Sequence, residues 1–434
     1  MASTIPYAAL HAWVDAHFDE QVALLQRLVA VPTDTPPGNN APHAETVAAI
    51  LEGWGWEVER HAVPDEEMQA YGMRSITNLI VRRRYSADGP VLALNAHGDV
   101  VPPGEGWTHD PYGGEVVDGR LYGRASAVSK SDFTTYLHAV RALEASGAPL
   151  KGAVELHFTY DEEFGGLKGP GWLLERGLTK PNYVVCASFS YAVVTAHNGC
   201  LQFEITVNGK ATHGSAPKTG HDALRAASRI LDEIYRQADA LDGISSRIDG
   251  ITHPTMIVGR IDGGTNTNVV PGKVVLKMDR RLIPEEDPAT VEADVRAFIA
   301  AAVAGLPGIA VEVRRILLAR ALRPLPGHEK LVASLQAHAR AVFGEDIPAV
   351  GTPLYADARL YAEHGVPTVM YGAGPRTVME SRAKQSDEHV VLEDLRGATR
   401  VMAGVLADFL FHDDSSIAIR WTTPGLDTAG LSTT

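Results

Sequence analysis

The sequence predicts an α/β protein in two units: a mostly parallel, helix-covered sheet and, inserted into it, a βαββαβ unit of ferredoxin-like order. Three observations predict this. Short continuous apolar runs alternate with helical patterns up to about residue 190, as buried parallel strands and their helical crossovers do. A strand of strict apolar–polar alternation opens a different pattern at Leu201. The first pattern returns after Pro324. The large unit is therefore expected over 1–198 and 317–434, and the inserted unit over 199–316. With 434 residues, 45% of them hydrophobic, the chain has material for both cores.

Taken in order, Leu10, Val14, Phe18, Val22, Leu25 and Val29 recur at helical spacing and predict one long helix. The Pro- and Gly-rich stretch VPTDTPPGNN stops it. PVLALNAH (90–97), GAVELHFTY (152–160) and NYVVCA (182–187) read as buried strands. Phe133, Leu137, Val140 and Leu143 mark an amphipathic helix between the first two. LQFEITV (201–207) alternates, so one face of its sheet meets solvent. A helix near 221–240, strands near 254–262 and 272–283, a helix near 290–304 and a strand near 309–316 complete the inserted unit. The Ser-, Thr- and Gly-rich tail, 415–434, is expected to be poorly ordered.

A formal net charge of -14 argues against nucleic acid or an anionic membrane as partner, because the field repels both. A small molecule is the expected partner. The two cysteines, Cys186 and Cys200, suit a reducing compartment and provide neither a disulfide framework nor a Cys-rich zinc site. No basic start followed by an apolar segment precedes the first helix, and no apolar run is long enough to span a bilayer. A cytoplasmic location is expected.

Ligands of open parallel sheets bind beyond the carboxyl ends of the strands. His97 and Asp99, in NAHGDV, fall there, as does the run Asp161, Glu162, Glu163 in TYDEEFGG. A carboxylate beside an imidazole orients it for metal or proton work, although for HxD alone the reading as a plain loop histidine wins. Three adjacent acids call for a nearby cation, or simply begin a helix. Ser126, Ser129 and Lys130 lie together, but their spacing matches no Ser–Lys dyad.

Six motifs run in one order: NAHGDVVPPGEGWTHDPYGGEVVDGRLYGR, TYDEEFGG, TAHNG, NGKATHGSAPKTGHDAL, NTNVVPGKVVLKMDRRLIP and LYADARLYAEHGVPTVMYGAGP. The series resembles the family of acetylornithine deacetylase, succinyl-diaminopimelate desuccinylase, aminoacylase and related carboxypeptidases, over roughly residues 10 to 410. The resemblance implies a catalytic α/β domain interrupted by a small lid domain that forms a homodimer. It also implies two zinc ions that share a bridging Asp and a bridging water. His97 then matches the first His ligand, Asp99 the acid that orients it, Glu162 the general base and Glu163 a carboxylate ligand. His213 matches the lid histidine that reaches a neighbouring subunit's site, and Asn268 and Arg281 match lid residues near the substrate carboxylate.

Three ligand positions depart from the family pattern. Val128 stands at the bridging Asp, Ala187 at the third carboxylate and Lys384 at the last His. A catalytic zinc takes three protein ligands and a water, and one ligand per ion remains, so no cofactor is expected. Asp132, Glu388 or His389 could replace a lost ligand only through a backbone shift. Lys384, with Lys130 as a second cation, is expected to neutralise the acids in place of metal. The expected activity is hydrolysis of a small N-acyl amino acid, dipeptide or related carboxylate. Glu162 acts as base and Lys384 and His213 as charge stabilisers, with Asn268, Arg281 and Lys130 binding substrate. Alternatives are a cofactor-independent isomerase, racemase or lyase, a non-catalytic binding protein and, under a different ligand alignment, an ordinary metal-dependent amidohydrolase.

Overall fold

The computed structural model describes residues 5–411, so the tail expected to be poorly ordered lies outside the described residues. The three apolar runs form the strands Val91–His97, Ala153–Thr159 and Tyr183–Cys186. They lie side by side and parallel, with Val91–His97 in the middle. Leu92, Leu94, Val154, Leu156 and Phe158 are fully buried because helices cover both faces. On one face Lys130–Ala145 packs against Leu392–Leu410. The complete sheet has eight strands. Four of its seven pairings are parallel, and the sheet is mixed at its flanks: Thr77–Arg84 and Glu59–Ala62 add antiparallel on one side, and Thr368–Met370 meets Val193–His197 antiparallel on the other.

The helix expected from Leu10 to Val29 divides into Tyr7–Ala16 and Phe18–Val29. His17 sits between them at φ -113°, its ring Nδ1 2.8 Å from the Trp13 carbonyl, where a side chain competes for a helical acceptor.

The inserted unit has the expected order: Gly199–Asn208, Ala223–Leu241, Thr255–Gly263, Lys273–Leu282, Pro288–Ala302 and Ala310–Ala319. Its four strands pair antiparallel, with Gly199–Asn208 and Lys273–Leu282 central. Leu201, Phe203, Ile205 and Val207 alternate inward against Ile230, Ile234, Val295 and Ile299, a core separate from that of the large sheet. The last strand runs on to Ala319, next to the large sheet.

Among the described residues, no helix is long and apolar enough to cross a membrane. Cys186 and Cys200 are buried and unpaired.

Candidate active site

The parallel strands deliver their carboxyl ends to one place. His97 closes Val91–His97, and the strand Ala153–Thr159 runs into the single turn Glu162–Phe164. Fully buried Asp99 ties the two together. Its carboxylate accepts the backbone N–H of Glu162 at 3.2 Å and of Glu163 at 2.9 Å. The Nδ1 of His97 lies 3.0 Å from the Asp99 carbonyl and 3.5 Å from its carboxylate, and Nε2 lies 4.0 Å from Glu162. Burial works against a proton on His97, but Glu162, Asp99 and Glu163 outweigh it and lift the imidazole to about 10. It is therefore an imidazolium at neutral pH.

Lys384 donates from Nζ to Glu163 Oε2 at 2.6 Å, while its stem stays open to solvent. Burial and then the charge of Glu162 push Glu163 up to about 7 despite this ammonium. Burial opposes the charge on Lys384, yet Glu162 and Glu163 together raise it. Two glutamates facing one ammonium account for the rise of Lys384, and burial beside Glu162 for that of Glu163. Beneath them Arg124 and Glu388 form a buried pair at 2.6 Å. Glu388 also accepts the backbone N–H of Lys384 at 3.3 Å, which fixes the loop that presents the lysine.

These groups line a cavity of about 390 Å³ together with Val128, Ala187 and Arg281. Arg281 comes from the smaller sheet. Its Nε donates to Asp279 at 2.8 Å and its guanidinium stands over the Tyr355 ring. The donor set round this cavity does not fit a two-metal centre. Val128 and Ala187 carry no donor atom, and the Lys384 nitrogen is a cation held by the carboxylate that would bind metal. Among the described residues, no three His, Cys, Asp or Glu side chains converge as a ligand group. Asp132 is buried behind the cavity, accepting from Ala373 N–H at 2.7 Å, and His389 faces its own loop with Nδ1 2.9 Å from the Asp387 carbonyl. Glu388 is taken by Arg124.

The model of Peptidase family M20/M25/M40 matches residues 93–408. The chain belongs to this family. An acetylornithine deacetylase of Myxococcus xanthus is 29% identical over 395 residues, 89% of this chain and 97% of the relative. A succinyl-diaminopimelate desuccinylase of Rhodospirillum centenum is 27% identical over 405 residues, with 89% and 96% covered. Among solved structures, the di-peptidase Dug1p of Saccharomyces cerevisiae shares the fold at TM-score 0.76 and 14% identity, covering 93% of this chain and 98% of that one.

Other predicted site residues of this M20/M25/M40 member lie elsewhere. Lys130 is fully buried and donates to the Val31 carbonyl at 2.8 Å, so it does not line the cavity. Burial lowers it to about 7, against Asp34, Glu388 and Asp99. His213 is exposed, with Nδ1 2.7 Å from Ser215 Oγ, and Asn268 is exposed on the adjoining edge, its carbonyl accepting from Gly214. Neither lines the cavity within one chain. Sequence reasoning passed over Asp357, Tyr355 and Arg124, which do. An aspartate opening the helix Ala358–Glu363 reads naturally as a cap, and the only signal to the contrary was its place in a family-like segment.

Proposed function

We propose that this chain hydrolyses the C–N bond of a small N-acyl amino acid, dipeptide or related carboxylate-bearing substrate without the two-zinc centre of its relatives. The observation that carries the reading is the 2.6 Å contact between Lys384 and Glu163, in a cavity where Val128 and Ala187 stand at family ligand positions. Glu162 takes a proton from water, and its oxygen attacks the substrate carbonyl. Lys384 and the imidazolium of His97 supply positive charge where the oxyanion develops. Arg281 faces the same space and suits a substrate carboxylate. His213 is outside the cavity, so its part in the reaction requires a second copy of the chain, in keeping with a homodimer formed through the smaller unit. Unpaired Cys186 and Cys200 accord with the cytoplasm.

The test is turnover and metal content of the purified protein. Release of a carboxylic acid and an amine should persist in a chelator, with well under one zinc per chain. Glu162→Gln should lower kcat by about 10²–10⁴-fold while ligand binding survives. Two bound metal ions whose removal abolishes turnover would overturn the reading. Solvent deuterium at the α-carbon without bond cleavage would replace it with an isomerase.

A further inference from the structure

The cavity is lined by four carboxyl groups, and with Glu388 held by Arg124 it is Asp357 to which hydrolysis as described assigns no part. Asp357 lines it alongside Glu162 and is only 5% exposed. At the start of a helix an aspartate ordinarily accepts first-turn N–H groups, yet this side chain makes no capping bond. Its Oδ2 is buried without a hydrogen-bond partner among the described residues. A Cβ on Gly166 would stand 2.1 Å from Oδ1, so the glycine of the TYDEEFGG turn makes room for this carboxyl. Burying a carboxylate oxygen that accepts no hydrogen bond is expensive, whereas a carboxyl that keeps its proton carries a smaller penalty.

The charged neighbours point the same way. Glu162 and Asp99 bring negative charge, against His97 and Arg359, and Asp161 is a further carboxyl that burial pushes well above the usual carboxylate range. Tyr71, Cys186 and Tyr361 are the neutral titratable groups nearby. Arg359 is committed elsewhere, to the Gly165 carbonyl at 2.5 Å and to Glu363 at 3.2 Å. Burial first, and then Glu162, raise Asp357 to about 8. Within this cavity Glu162 and Asp357 are carboxyl groups in unlike surroundings, the arrangement that divides base from acid.

We propose that Asp357 is the general acid of the reaction, protonating the departing nitrogen while Glu162 takes the proton of water. The assignment rests on the hydrolase reading. Water oxygen bonds to the carbonyl carbon and its proton passes to Glu162. The C–N bond then breaks, its electron pair stays on nitrogen, and that nitrogen takes the proton of Asp357. Acid and amine leave, and the proton on Glu162 returns to Asp357 through solvent.

The experiment compares two leaving groups. The best substrate from a panel of N-acetyl amino acids is paired with the thioester in which sulfur replaces its nitrogen, because a thiolate leaves without being protonated. Asp357→Asn should lower kcat/KM for the amide by about 10²-fold or more and for the thioester by less than about threefold. Equal loss on both substrates, or loss on neither, overturns the assignment. If the variant does not fold, wild type is measured on both substrates from pH 6 to 9.5. Amide cleavage should then fall above about pH 8 while thioester cleavage does not, and parallel profiles refute the acid role. A wild type that cleaves no member of the panel removes the hydrolase reading and this assignment with it.

Discussion

Lys384 changes what the acids around it can do. A metal ion would hold Glu163 as a carboxylate and leave little to chance in its charge, whereas a single ammonium 2.6 Å away leaves that group near neutrality. If the exchange of ligands is what removes metal, reversing it should restore metal. The combined variant Val128→Asp, Ala187→Glu, Lys384→His should retain zinc after dialysis, at a stoichiometry clearly above wild type by elemental analysis. Asp357 gives a stability prediction of its own. Its carboxyl rises from 3.8 to about 8 on folding. Between those values the unfolded chain gives up a proton that the folded one keeps, so folding stability falls as pH rises through that window. The melting temperature of wild type should therefore drop more between pH 5 and pH 8 than that of Asp357→Asn, read by circular dichroism. The protonation of Asp357 was not legible in the sequence, where an aspartate before a helix looks like a cap; its lack of a capping bond is a property of its surroundings.

Helices and strands followed their sequence periods closely. LQFEITV alternates because one side of its sheet is a core, and Leu201, Phe203, Ile205 and Val207 do face inward. The helix Ala223–Leu241 begins where Asp222 accepts the N–H of Leu224 at 2.9 Å and of Arg225 at 3.1 Å. Asp222→Ala should cost about 0.5–2 kcal/mol in urea unfolding and leave turnover per folded molecule unchanged. Pairing was less legible than the elements themselves. Thr77–Arg84 adds antiparallel to a strand whose other neighbour is parallel, a choice made by contacts far along the chain that no local period records. The break at His17 likewise depends on where its imidazole turns.

In the whole molecule the cavity is completed by both sheets. Arg281 lies near the end of Lys273–Leu282 in the smaller sheet and lines the space closed by His97, Glu162 and Lys384 from the larger unit. Removing it should weaken capture of a carboxylate-bearing substrate more than chemistry. Arg281→Ala should raise KM about tenfold or more, equivalent to at least 1.4 kcal/mol, with a smaller change in kcat, measured by steady-state kinetics. An equal loss in both constants would place Arg281 in the reaction step instead.

The sequence by itself determined the α/β class, the inserted βαββαβ unit and the family motifs, because each is written in local period or residue identity. Only the tertiary structure decided that Lys384 reaches Glu163 across 221 residues of chain, that Lys130 points away from the cavity, and that Asp357 Oδ2 is buried without a hydrogen-bond partner among the described residues. Charge states follow from burial and from which distant groups face one another, and neither quantity exists until the chain has folded.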